Sequence, residues 1–110
     1  MKYTVLGGGS WATAIVKILS ENLPEITWYM RNELAISHIK KYKHNPNYLS
    51  SVELHTDKIH LTSNINEAVE WADYVIFVIP SAFLVTELSK LTVPLKDKVI
   101  FSAIKGIVPE

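Results

Sequence analysis

Five short apolar runs, Lys2 to Leu6, Ile26 to Tyr29, Ile59 to Thr62, Tyr74 to Ile79 and Lys98 to Ser102, alternate along this chain with segments of helical period. That alternation constrains the fold more than any other feature, because parallel strands need a crossover connection and a helix is the usual one. With no internal repeat or low-complexity tract, the pattern implies an α/β architecture: one doubly wound parallel sheet with helices on both faces. Right-handed crossovers then give the strand order 3-2-1-4-5. Ligands in such sheets bind beyond the carboxyl ends of the strands, where the order reverses. The segments of interest are therefore Gly7 to Trp11, Met30 to Asn32, Ile79 to Ser81 and Ala103 to Gly106.

The first of these tips carries the most information. Gly7-Gly8-Gly9-Ser10-Trp11-Ala12 follows the first run and opens a helix, in the pattern G-x-G-x-x-G/A. Gly7 suits the sharp turn out of the strand, Gly9 allows close backbone approach to a pyrophosphate, and Ala12 keeps the helix near the sheet. The unpaired N–H groups and dipole of the helix start attract an anion without a lysine. Glycines after a strand are also common in ordinary turns, so the strand-turn-helix context is what makes the fingerprint informative.

The first helix spans Ser10 to about Glu21, with Ile15, Ile18 and Leu19 as its buried stripe, and Asn22 and Pro24 end it, asparagine tolerating the left-handed conformation. Asn32-Glu33 reads as an N-cap and first-turn carboxylate for a helix reaching about Lys41. Tyr42 to Asp57 has no clear period and is the longest irregular segment. Ser63-Asn64 followed by Glu67 resembles a cap for a helix from Ile65 to Trp71. The β-branched and aromatic run Tyr74 to Ile79 reads as a central strand buried on both faces, followed by a helix from Phe83 to Leu91.

Composition narrows the partners. Eleven basic residues balance eleven acidic ones, so no overall field draws in nucleic acid or an anionic membrane, and any anion site is local. The longest uncharged apolar run, Tyr74 to Leu84, falls far short of the roughly 20 residues that span a bilayer. No targeting segment is visible, and the absence of cysteine excludes disulfides and thiolate chemistry and fits a reducing cytosol, which makes a cytoplasmic location the default. The histidines at 38, 44, 55 and 60 show no metal-ligand spacing and read as surface or half-buried groups, with no metal assigned. The lysines at 40, 41 and 43 read as a solvated helix end.

At the end of the second strand, an acid would accept from the ribose 2′-hydroxyl of NAD, but the sequence has Arg31. A guanidinium pairs with a 2′-phosphate or stacks on adenine, so NADP is tolerated or preferred; the plainer alternative is a solvated arginine near a helix start. Glu33 sits two residues late and is explained by its helix dipole. Ser10 either caps the first helix or bonds a phosphate, and Trp11 either covers the cofactor or packs on the loop. Lys105 stands at the fifth tip, where spacing alone favours a surface lysine before a turn glycine over a phosphate contact.

Taken together, Gly7-Gly8-Gly9-Ser10-Trp11-Ala12-Thr13-Ala14, Tyr29-Met30-Arg31, Asn45-Pro46-Asn47-Tyr48-Leu49, Val78-Ile79-Pro80-Ser81 and Lys105-Gly106-Ile107 resemble the N-terminal domain of bacterial-type NAD(P)-dependent glycerol-3-phosphate dehydrogenase, across essentially the whole chain. The resemblance implies a Rossmann-type domain over residues 1–110 of a longer two-domain enzyme, with NAD or NADP as cofactor. It also implies a cytosolic activity reducing dihydroxyacetone phosphate to sn-glycerol 3-phosphate, a phospholipid precursor. The implied cofactor-binding set is Gly7, Gly9, Ser10, Trp11, Ala12, Arg31, Tyr48, Pro80 and Lys105, with Lys105 also touching substrate. No catalytic residue falls in these 110 residues, since the family's catalytic lysine belongs to a helical C-terminal domain. Ala12 stands where the family has glycine, Tyr29 where it has tryptophan, and Ser50-Ser51 where proline-glycine is usual. The rival readings are the cofactor domain of a ketopantoate reductase or hydroxyacid dehydrogenase, and a non-catalytic NAD(P)H-sensing module. The apolar Ile104-Ile107-Val108-Pro109 tail suggests that copies associate along the fifth-strand edge as a homo-oligomer.

Overall fold

A computed structural model describes residues 1–47 and 51–103. The elements are β1 (Tyr3–Leu6), α1 (Ser10–Asn22), β2 (Ile26–Tyr29), α2 (Glu33–Tyr42), a 3-10 turn (Thr56–Lys58), β3 (Ile59–Thr62), α3 (Ile65–Trp71), β4 (Tyr74–Phe77), α4 (Ser81–Ser89) and β5 (Val99–Ser102). All four strand pairings are parallel and the sheet runs β3-β2-β1-β4-β5. Five four-residue strands joined by helices thus form the doubly wound sheet expected from the alternation, with the order reversing at β1.

Side-chain alternation along the strands separates two apolar layers. On one face Val5, Trp28, Met30 and Leu61 pack with Ala12 and Val16 of α1 and with Ile36 and Ile39 of α2. On the other, Leu6, Tyr29, Val75 and Phe77 pack with Ala68 and Val69 of α3. Thr4 faces this second layer fully buried, and its hydroxyl donates to the Ala68 carbonyl at 2.9 Å, tying α3 to the middle strand.

Several local expectations are corrected. Ala12, Thr13, Val16 and Ser20 make the buried side of α1, Ile15 and Leu19 are partly buried, and Ile18 is exposed. Small residues let the helix axis lie close to β1 and β2, which turns Ile18 outward. Asn22 closes α1 as its last helical residue without a left-handed turn, and Leu23 beyond it is extended. The left-handed cap belongs to α2, at Lys43 (φ 65°). Asn32 caps α2 by accepting from the Ala35 amide at 3.0 Å, and Asn64 caps α3 by accepting from the Asn66 and Glu67 amides. Glu67 accepts instead from Thr62 at 2.9 Å and lies 2.7 Å from His60, so the reciprocal half of a capping box is missing.

β4 ends at Phe77, two residues before the sequence pattern does. The Val78 amide still donates to Leu6, but the Val78 carbonyl lies so close to Gly7 that the chain turns away there. Tyr74 and Ile76 are only half-buried, because α1 covers β1 and β2 and leaves the β5 side of that face open. The middle strand is β1, with β4 between it and β5. β5 is exposed at all four residues. After α2 the described residues 43–47 and 51–55 hold no helix or strand, and Leu54 is buried with its amide donating to the Lys43 carbonyl at 2.7 Å.

Candidate functional site

The glycine turn is held from three sides. Gly7 adopts φ +136°, and a Cβ there would stand 2.6 Å from the Val78 carbonyl oxygen, so only glycine fits. Its amide donates to the Tyr29 carbonyl at 2.9 Å, while its carbonyl accepts from the buried Trp28 indole at 2.5 Å. Asn45, buried in the irregular segment, donates to the Gly8 carbonyl at 3.2 Å and to the Thr13 hydroxyl at 3.0 Å. Its own carbonyl accepts from the Asn47 amide at 2.9 Å. One asparagine thus ties the Asn-Pro-Asn motif to the turn.

Gly9 differs in kind. Among the described residues a Cβ at Gly9 would meet nothing within 4 Å, so no packing against them demands glycine there. It is the N-cap of α1 and offers no side-chain acceptor to the first-turn amides. Ser10 is therefore the first helical residue rather than a cap, which removes one of its two sequence readings. A helix start whose N-cap residue offers no side-chain acceptor is the arrangement that receives a phosphate oxygen.

The turn opens into a cleft of about 250 Å³ whose walls include Gly7, Gly8, Gly9, Met30, Arg31, Asn45, Ile79, Pro80, Phe83 and Glu87. The tips after β1, β2 and β4 therefore meet as the topology requires. The Arg31 guanidinium lies over the Phe83 ring, 4.9 Å from its centroid. Behind that pair, the buried Tyr29 hydroxyl donates to Oε1 of the buried Glu87, whose Oε2 takes an ion pair from Lys90 at 3.0 Å. Burial and then the Glu87 carboxylate push the Tyr29 phenol well above its usual range, with Arg31 opposing. Burial alone would raise Glu87, but hydrogen bonds from Tyr29 and Lys90, helped by the charges of Lys90 and Arg31, hold its carboxyl below the usual value. Glu87 is thus an ionised acid in the cleft wall.

Of the residues singled out from sequence, Gly7, Gly9, Arg31 and Pro80 line this cleft. Ser10 and the half-exposed Trp11 stand on the first turn of α1, outside the lining. Ala12 is fully buried in the core beneath α1, so its side chain packs helix on sheet and does not reach the cleft. Glu33 accepts from Ser63 at 3.3 Å and is not among the residues that line the cleft. Tyr48 and Lys105 lie outside the described residues. Sequence reasoning missed Asn45, Phe83 and Glu87. The available signal for the last two was their spacing of four, which puts both on one face of the helix that follows Pro80. Among the described residues no group of three or more metal-ligating side chains gathers, and no helix is long and apolar enough to cross a membrane.

Comparison with known proteins agrees with this geometry. Residues 2–110 match the family model described as NAD-dependent glycerol-3-phosphate dehydrogenase N-terminus. A glycerol-3-phosphate dehydrogenase [NAD(P)+] from Nitratidesulfovibrio vulgaris is 35% identical over 108 residues, covering 97% of this chain and 32% of that protein. Its counterpart from Methanothermobacter thermautotrophicus is 34% identical over 107 residues, covering 97% of this chain and 33% of that protein. The chain therefore spans about a third of the length of the curated relatives it matches. A solved glycerol-3-phosphate dehydrogenase from Saccharomyces cerevisiae superposes with a TM-score of 0.84 at 26% identity, over 96% of this chain and 34% of that one. With its five-stranded order, its glycine turn and a family match from Lys2 to Glu110, this chain belongs to the NAD-dependent glycerol-3-phosphate dehydrogenase N-terminal domain family.

Proposed function

We propose that these residues form the cofactor-binding domain of a longer two-domain, cytosolic enzyme that interconverts dihydroxyacetone phosphate and sn-glycerol 3-phosphate with NAD(P)H, feeding phospholipid synthesis. The observation that carries the reading is the start of α1 at Gly9, an N-cap without a side-chain acceptor that lines the same cleft as Arg31 and Pro80. In this reading the amides of Gly9, Ser10, Trp11 and Ala12 receive the pyrophosphate, with Gly7 making the turn that aims them. Arg31, stacked on Phe83, meets the adenosine end, where its free N–H edge suits a 2′-phosphate. Pro80 borders the far wall toward the nicotinamide. The roles of Tyr48 as a cofactor contact and Lys105 as a contact to cofactor and substrate rest on the family resemblance. When bound, the reduced nicotinamide supplies a hydride, while this chain's part is to fix the cofactor's orientation, which matters because transfer requires near-attack geometry.

Fluorescence titration of the chain with NADPH and NADH tests the reading: saturable quenching by at least one cofactor is expected, and binding of neither rejects it. Half a cleft does not hold a carbonyl against the nicotinamide, so the 110-residue chain binds cofactor without turnover. Copies of the chain also associate through β5, whose four residues are exposed on an edge strand with Val99, Ile100 and Phe101 uncovered.

A further inference from the structure

The cleft wall contributed by α4 is matched to β2 by spacing. Tyr29 ends β2 and Arg31 follows two residues later, just beyond the strand. Phe83 and Glu87 stand four apart on one face of α4, about 6 Å along its axis. The two pairs meet in register: the Arg31 guanidinium lies over Phe83, and the Tyr29 hydroxyl bonds Glu87. Lys90, one turn further on, completes the row through its 3.0 Å ion pair with Glu87.

We propose that Glu87 is a positioning residue for cofactor discrimination: clamped between Tyr29 and Lys90, it fixes α4 against β2 so that Phe83 holds the Arg31 guanidinium flat with its N–H edge turned to a 2′-phosphate. The inference rests on the reading of Arg31 given above. Stacking leaves all in-plane donors of a guanidinium available, and a side chain already held in plane loses less freedom on forming a forked pair. No hydrogen bond to a described residue competes for the Arg31 edge. Glu87 does not repel the phosphate it serves, because Lys90 answers its charge and both its oxygens are engaged. The ionised state this requires agrees with the depressed pKa of its carboxyl. Tyr29 is the counterpart on the strand, its hydroxyl reaching the acid on α4.

The test is a cofactor-selectivity cycle on the full chain. Glu87→Gln and Tyr29→Phe are titrated with NADPH and NADH, alone and combined with Arg31→Ala, with thermal melts to verify folding. Either single change is expected to weaken NADPH about fivefold while altering NADH less than about twofold. In the Arg31→Ala background, neither change should alter the NADPH to NADH ratio further. Equal loss of both cofactors, or a ratio change that persists without Arg31, overturns the proposal and leaves Glu87 a structural residue only. If Arg31→Ala itself leaves the ratio unchanged, the reading of Arg31 falls, and the proposal falls with it. Tyr29→Phe guards against misfolding in Glu87→Gln, since it removes one hydroxyl and keeps the ring packed.

Discussion

Gly7 and Gly9 stand two residues apart in one turn, yet the structure assigns them opposite requirements, and alanine at each separates folding from binding. At Gly9 a Cβ meets nothing within 4 Å among the described residues, and the backbone φ of −85° is open to any residue. Alanine there gains about 0.4–1 kcal/mol through a less free unfolded chain. It loses a similar few tenths to about 1 kcal/mol as a poorer N-cap. Stability should thus stay within about 0.5 kcal/mol of the parent. The methyl group, however, fills the space over the α1 amides. If it displaces a phosphate oxygen from one or two charge-assisted contacts worth about 1.5–3 kcal/mol each, the loss is about 3 kcal/mol, or roughly a hundredfold in Kd. At Gly7 the order reverses: φ +136° and a contact of 2.6 Å to the Val78 carbonyl make alanine cost about 3 kcal/mol in backbone strain and displacement. Chemical denaturation followed by NADPH titration checks both. Tight NADPH binding by a folded Gly9→Ala chain would refute the pyrophosphate assignment, and an unperturbed Gly7→Ala chain would refute the geometry of the turn.

Asn45→Ala should lower stability by about 1–3 kcal/mol in urea denaturation, because it removes the two hydrogen bonds that buried Asn45 gives to the part-buried Gly8 carbonyl and to the Thr13 hydroxyl. The carboxyl of Glu87 is depressed in the folded chain, so the stability it confers is present above the ordinary value of 4.5 and is lost as pH falls through the lower folded value. The stability difference between the parent and Glu87→Gln should accordingly shrink as pH falls below 4.5, and a difference that stays constant under acidification would disprove an ionised Glu87. Steady-state assays with NADPH and dihydroxyacetone phosphate should give no turnover by the 110-residue chain, and measurable NADPH oxidation would show that these residues suffice for catalysis. Light scattering at high concentration should reveal association that Phe101→Lys weakens on the exposed β5 edge, whereas a strictly monomeric parent would exclude it.

The sequence alone pointed to the strand order, because alternating strand and helix restricts the chain to doubly wound sheets and a glycine fingerprint after the first strand belongs with the order 3-2-1-4-5. It also located the glycine turn, since a fingerprint between a strand and a helix is a local pattern, and it named Arg31 because the β2 tip is fixed by counting from a strand end. The tertiary structure alone decided what surrounds those residues. Ile18 reads as core by helical period but is turned outward by the close approach of Ala12 and Val16 to the sheet. Phe83 and Glu87 lie more than fifty residues from Tyr29 and Arg31, and no local period connects them. Their meeting depends on side chains of α4 reaching the carboxyl end of β2, through the Tyr29–Glu87 and Arg31–Phe83 contacts. Period and propensity act over a few residues, whereas the wall of a cleft is built by elements that only folding brings together.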